Sequence, residues 1–218
     1  MKKLLFLLFL MLPFTASAQW RVGANVGASF NHPTIDRQYM TDLQYKDRWG
    51  ITAGLMGQYD FNEWLGVRAE LNLTQKNYRQ TRTVIQGQDY KYLNNYLLLP
   101  VMASFGFGSE KIRGFCNVGV YGGYWLNASR KGEDYNSFSQ TYFTFSESMD
   151  FDKDQDQRWD CGFVGGLGLE YRFCNRWGAQ IETRYYHSTT SFRKEMPHFN
   201  DKRYHSTFGL QAGVMYFF

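Results

Sequence analysis

The chain has 218 residues, a formal net charge of +4, 20% charged residues and 19% aromatic residues, with 21 glycines and only 4 prolines. Its basic residues are scattered rather than clustered, which argues against a nucleic-acid partner. Past the N-terminus no apolar run approaches the roughly 18 residues that a membrane-spanning helix requires, so any membrane crossing must be made by strands.

The N-terminus reads as a secretion signal over residues 1–18. Lys2 and Lys3 supply the positive region, residues 4–12 the apolar core, and Ala16, Ser17 and Ala18 the small-residue cleavage site. Residues 19–218 are then expected to form one domain, since no Pro-rich or Ser-rich linker divides them.

Eight segments follow a period of two, which is the mark of a strand with one apolar face. The first, 20–30, places Trp20, Val22, Ala24, Val26, Ala28 and Phe30 opposite Gly23, Asn25, Gly27 and Ser29. The second, 49–59, sets Ile51, Ala53 and Leu55 against Thr52, Gly54 and Gln58. The third begins at Leu65 and is the clearest, with Val67, Ala69, Leu71 and Leu73 opposite Arg68, Glu70, Asn72, Thr74 and Lys76. The fourth, 93–105, carries Pro100, which removes a ladder hydrogen bond and is the one local objection to a closed sheet. The fifth, 114–126, is so rich in glycine that either register is defensible. The sixth, 159–171, opposes Phe163, Leu167 and Leu169 to Asp160, Gly162 and Glu170. The seventh, 177–187, opposes Ala179 and Ile181 to Gln180, Glu182 and Arg184. The eighth, 204–218, alternates to its end and stops on Tyr216 and Phe218, the pattern of a terminal strand that carries an insertion signal.

Short turns near 60–63, 106–112 and 172–176 alternate with long polar connections at 31–48, 79–92, 127–158 and 188–203. That asymmetry, with segments long enough to cross a bilayer, predicts an all-β fold: an eight-stranded antiparallel transmembrane β-barrel in a bacterial outer membrane, short turns in the periplasm and long loops outside. A soluble sandwich is the alternative, but it gives no reason for strict alternation.

The ordered segments RVGANVGASF (21–30), LNNYLLLPVMASF (93–105), FCNVGVYGGYWL (115–126) and WDCGFVGGLGLEYRF (159–173), with the terminal aromatic, resemble the PorT-like outer-membrane β-barrel family of Bacteroidetes. The resemblance implies insertion by the barrel-assembly machinery and contact with outer-membrane lipid, and a proline in the fourth strand is expected in that family. It implies no single activity. One branch serves protein secretion.

An eight-stranded barrel has a lumen just wide enough to be filled by side chains. The inward charges Arg68, Glu70, Glu170, Glu182 and Arg184 are therefore read as a salt-bridged plug, with a proton or ion path as the alternative. A hydrolase at the rim is disfavoured: His187 and Ser188 are neighbours on one strand and point to opposite faces. Asp150, Asp152, Asp154 and Asp156 form either a solvated acidic edge or a hard-cation site. Tyr135, Phe138, Tyr142, Phe143 and Phe145, in the longest loop, form a candidate contact surface for an extracellular ligand or a secretion partner. Cys116, Cys161 and Cys174 cannot all pair. Free thiols are favoured over a Cys116–Cys174 bridge, and no metal, cofactor or catalytic centre is expected.

Overall fold

Strand Leu65–Gln75 shows the local rule that builds the molecule. Along it buried and exposed residues alternate without a break, and the buried ones are the polar ones, Arg68, Glu70, Asn72 and Thr74, while Val67, Leu71 and Leu73 are exposed. The apolar face thus points away from the protein's interior, the reverse of a soluble sandwich. The computed structural model describes residues 19–35, 42–82, 89–136, 138, 141–152, 155–194 and 202–218. The expected signal, 1–18, lies outside them.

Ten strands are present: β1 (Gln19–Ile35), β2 (Leu43–Asp60), β3 (Leu65–Gln75), β4 (Tyr78–Arg82), β5 (Asp89–Gly108), β6 (Ile112–Asn136), β7 (Thr141–Met149), β8 (Trp159–Arg172), β9 (Trp177–Ser188) and β10 (Arg203–Phe217). All pairings are antiparallel. Eight strands close a ring in the order β1, β2, β3, β5, β6, β8, β9, β10, and β10 returns to β1 from Arg21↔Phe217 to Ile35↔Arg203. All eight expected strands are present, and five or more residues are added at the long-loop ends of β1, β2 and β6.

Two strands were not expected. β4 falls in the segment read as the loop 79–92. It continues β3 beyond an interruption at Lys76 and Asn77, and it pairs with the outer parts of β2 and β5. At the interruption side-chain amides replace the ladder: Asn77 Nδ2 donates to the Trp49 carbonyl (2.9 Å), and Asn94 Nδ2 donates to that of Lys76 (3.0 Å). β7 falls in the segment read as the loop 127–158 and folds back on β6 as a hairpin outside the ring. Both escaped a period-of-two reading because above the membrane belt neither strand face needs to be apolar.

Pro100 neither ends β5 nor puts it at an edge. It pairs opposite Tyr121 of β6, and the cost appears on the other side, where the β3–β5 ladder skips Glu70 and Leu71. Glycine is required at the turn after β5, where Gly108 has φ of 123°. In β6 the open register is settled: Phe115, Asn117, Tyr121 and Trp125 point inward, and Val118 and Val120 outward. At Leu126 an extra residue bulges where the β5 pairing passes from Asn95↔Asn127 to Tyr96↔Trp125.

Exposed aromatic residues form two belts. Trp20, Trp64, Tyr171, Trp177 and Phe218 mark the short-turn end, and Trp49, Trp159, Tyr185 and Phe208 the long-loop end. Ten residues of tilted strand separate Trp20 from Phe30, which packs on Trp49 with ring centroids 4.9 Å apart. That spacing is about 25 Å, the height of an outer-membrane apolar band. Among the described residues no helix is long and apolar enough to cross a membrane.

Candidate functional site

Inward positions on alternate residues stack the lumen in layers. At the short-turn end Arg21 forms ion pairs with Asp60 and with Glu170 (2.8 Å), and its guanidinium lies over the Phe217 ring at 5.1 Å. Glu170 is therefore inward, as parity implies, but it belongs to this lower layer and not to the main network. Arg21 and Asp60 were missed. Both share the parity of the inward faces, but they sit at strand ends, where alternation has few neighbours to support it.

The middle layer brings together Arg68, Glu70, Glu182 and Arg184, from β3 and from β9 across the lumen. Arg184 forks onto Glu70 through two hydrogen bonds of 2.6 and 2.9 Å, and its Nε and Nη2 donate to Glu182 at 3.1 and 2.5 Å. Arg68 donates to Glu182 (3.3 Å), Gln180 (3.1 Å) and Gln58 (2.8 Å), and stacks over Phe115 at 4.9 Å. Two guanidinium groups thus face two carboxylates. Asn117 and Asn72 supply further donors, at 2.9 Å each, to Glu182 and Glu70. Such a network is tolerated away from water because nearly every charge has an opposite partner and hydrogen bonds besides. Gly166 of β8 makes the space: a Cβ there would lie 2.4 Å from Glu182 Oε1.

The next layer was also missed as a group, though parity placed both its charges inward. Lys76 Nζ meets Asp160 at 2.5 Å, and Asp160 accepts from Ser188 Oγ (2.5 Å) and Tyr121 (3.2 Å). His205 lies beside them, with Nδ1 3.1 Å from Asn31 Nδ2 and Nε2 3.3 Å from the Tyr96 hydroxyl. Ser188 is buried on Asp160 while His187 is exposed and stacks on Tyr185. The two do point to opposite faces.

Above the upper belt the lumen is roofed by Tyr78, Tyr92, Trp125 and Phe192, all buried. Burial, with the neighbouring Tyr92 and Tyr45, pushes the Tyr78 phenol well above its usual range. Burial, with the hydrogen bond to Asp134 (2.9 Å), raises Tyr90 too.

Of the loop aromatics, Phe143 and Phe145 share a face of β7, with ring centroids 6.4 Å apart. Phe138, Tyr142 and Phe143 are exposed on the β6–β7 hairpin, whereas Phe145 packs on Tyr90 at 5.6 Å and under the Arg130 guanidinium at 5.0 Å. Tyr135 pairs with Tyr142 in the ladder, and its side chain lies outside the described ones. Asp154 also lies outside the described residues. Asp152 and Asp156 close a local turn, the Asp152 amide donating to Asp156 Oδ2 at 3.0 Å. Among the described residues no three His, Cys, Asp or Glu side chains converge to hold a metal. Cys116, Cys161 and Cys174 are all free thiols, so there is no Cys116–Cys174 bridge; Cys116 sits on the outer face of β6 and Cys174 in the turn after β8. At the terminus Phe218 N donates to the Trp20 carbonyl (3.1 Å), and the Phe218 ring meets Tyr216 edge to face.

This ring, with its polar interior and belted apolar exterior, is the construction of an outer-membrane barrel. A family model described as outer membrane protein beta-barrel domain matches residues 15–192. The chain belongs to that family. This outer-membrane barrel shares its fold with Neisserial surface protein A, at TM-score 0.52 and 12% identity over 93% of this chain and 100% of that one. It shares it also with the outer membrane protein OprG from Pseudomonas aeruginosa, at TM-score 0.50 and 13% identity over 92% and 95% of the two chains. No curated protein is significantly similar in sequence. The family and these folds place the barrel in the bacterial outer membrane, crossing it as strands.

Proposed function

We propose that this barrel is a closed, non-enzymatic structural or binding protein, its lumen plugged by side chains and its long-loop end turned outward to meet an extracellular ligand. The observation that carries this reading is the Arg68, Glu70, Glu182 and Arg184 layer, whose side chains are all at most 2% exposed at mid-membrane height. Water-filled conduction would need these groups hydrated, yet they are held by one another. Lipid contacts the exposed Leu, Val and Ile band, and Tyr216 with Phe218 supplies the signal read by the barrel-assembly machinery. Burial of Ser188, with His187 on the opposite face, speaks for a non-catalytic role.

Planar-bilayer recording on the refolded protein tests the closed lumen. No stepwise conductance is expected, and steady openings would make the protein a narrow porin instead. Protease treatment of intact cells tests orientation, since cleavage within 127–158 is expected from outside. The PorT-like resemblance supports a second reading, a component of a protein secretion system. Loss of secreted cargo on gene deletion favours that reading, whereas unchanged secretion favours the binding barrel.

A further inference from the structure

Two buried polar groups at the roof of the lumen have no hydrogen bond to satisfy them. Trp125 is 4% exposed, and its indole N–H meets no acceptor among the described residues. Tyr78 is 5% exposed, and its hydroxyl bonds to no other described group. Both line one cavity of about 240 Å³ at the long-loop end, with Tyr92, Phe192 and Gln80 among its other walls. Buried polar groups in native proteins are almost always hydrogen-bonded, so an oxygen from outside the chain completes these two.

The walls are preformed. Tyr78 and Tyr92 are ladder partners with near-parallel rings 4.7 Å apart. Phe192 is fixed through its backbone, its N–H donating to the Arg203 carbonyl (2.9 Å) and its carbonyl accepting from Gln157 N (3.1 Å). Trp125 N donates to the Arg158 carbonyl (2.8 Å), and the Arg158 guanidinium donates back to the Trp125 carbonyl at 2.8 and 2.9 Å. Rings held in this way accept a flat ligand with little loss of side-chain freedom.

The chemistry of the lining selects the ligand. An indole N–H only donates, a phenol donates or accepts, and the Gln80 amide does both. A purely apolar ring would leave these groups unpaired, and a ring with one polar substituent would satisfy one of them. A pyranose has an apolar C–H face to lay on aromatic walls and several hydroxyls that donate and accept. Drug-sized ligands occupy roughly 300–1,000 Å³, so the smaller space here suits one such ring. The seat makes no use of the charges on the lining, Asp156, Arg193 and Arg203, which keep their own interactions.

We propose that this cavity binds one neutral pyranose ring, stacked on the aromatic walls, with its hydroxyls on Trp125 Nε1, the Tyr78 hydroxyl and the Gln80 amide. The proposal rests on the reading of the protein as an outward-facing binding barrel, and it names the ligand's chemistry. A free sugar and the terminal residue of a glycan chain share that chemistry.

The test uses the full-length refolded barrel in a zwitterionic detergent without a sugar headgroup. Methyl glucoside, methyl galactoside, methyl mannoside, maltose and lactose are the probes, with benzyl alcohol as the apolar ring. Saturation-transfer NMR on the ligand reads affinity, and nitrogen-15 labelling reads the six tryptophan indoles of the chain. Saturable binding of at least one glycoside is expected, moving the indole resonance that is missing in Trp125→Phe, with benzyl alcohol about 10-fold weaker or more. A disaccharide that binds as well as its methyl glycoside identifies a glycan end, and a methyl glycoside alone identifies a free sugar. Trp125→Phe and Tyr78→Phe each keep a ring and remove one polar group, so each is expected to weaken binding about 2- to 10-fold, the range for one neutral hydrogen bond. Either serves if the other does not fold. The proposal is overturned if no sugar saturates, if benzyl alcohol binds equally well, if the Trp125 indole resonance stays in place, or if a folded variant binds unchanged. Conductance keeps the two readings apart: a closed barrel without sugar binding sinks this proposal alone, whereas a conducting barrel sinks the closed-lumen reading and leaves the titration to stand.

Discussion

Arg184 and Glu70 meet across the lumen, from β9 and β3, through two near-parallel hydrogen bonds of 2.6 and 2.9 Å, and neither side chain reaches solvent. Removing one member leaves the other charge buried without its main partner. Arg184→Met is therefore expected to lower unfolding free energy by about 3–5 kcal/mol, because Glu70 and Glu182 both lose it. Arg184→Met with Glu70→Gln should recover part of the loss. Urea titration of the refolded barrel, followed by heat-modifiable gel mobility, measures both. Equal stability of the single variant and the parent would remove the network from the account of what holds the barrel.

Gly166 tests the same layer from the side of volume. A methyl group at this position meets Glu182 Oε1 at 2.4 Å, so Gly166→Ala must displace the carboxylate that Arg68 and Arg184 share. A loss of about 1–3 kcal/mol is expected, the range for overpacking a filled interior. Gly57, where an added Cβ meets nothing within 4 Å, is the control. Gly57→Ala should change stability by well under about 1 kcal/mol.

The parity that places Arg68, Glu70, Glu170, Glu182 and Arg184 inward is readable from the sequence, because each lies on a strand whose other face is mostly apolar. What parity cannot convey is which charges meet. Glu170 sits one layer below the others because β8 pairs Gly166, not Glu170, with Arg184, and that register is set by strand stagger around the ring. Lys76 and Asp160 are 84 residues apart, and only ring closure brings them together. β4 and β7 were illegible for a different reason. Lipid imposes the apolar face that makes a spanning strand visible, and above the belt that constraint ends. Phe145 was grouped with exposed aromatics because, with β7 unseen, nothing in the sequence turns it against Tyr90.

The lipid-facing surface makes a depth-dependent prediction. Leu71 pairs with Leu55, itself opposite Ala24, midway between the aromatic belts, and it is exposed. Leu71→Arg is expected to cost about 2–4 kcal/mol in phospholipid vesicles, as for a cation at the bilayer midplane. Tyr142→Arg, on the exposed hairpin strand β7, should cost about 0–1 kcal/mol. Folding titrations of both variants in the same vesicles give the comparison. Similar losses at the two positions would contradict the placement of the membrane between Trp20 and Phe30.

Tyr78 and Tyr90 lie beyond the upper belt, and both phenols titrate above their usual range: Tyr78 through burial and its tyrosine neighbours, Tyr90 through burial and its bond to Asp134. A raised folded-state value means that the native protein holds these protons more tightly than the unfolded chain. Their contribution to stability is therefore fully present below the unfolded value of about 10, and it is lost as pH rises beyond that value toward the folded ones. The ring below, held by continuous pairing of eight strands, should persist longer. Absorbance at 295 nm is expected to show a late ionisation phase that disappears in Tyr78→Phe. Hydrogen exchange should show β4 and the start of β5 losing protection in step with that phase while β9 stays protected. A single tyrosine transition near 10, with β4 unchanged across it, would mean that the roof is open to water and that the aromatic walls above the lumen are not held as a packed unit.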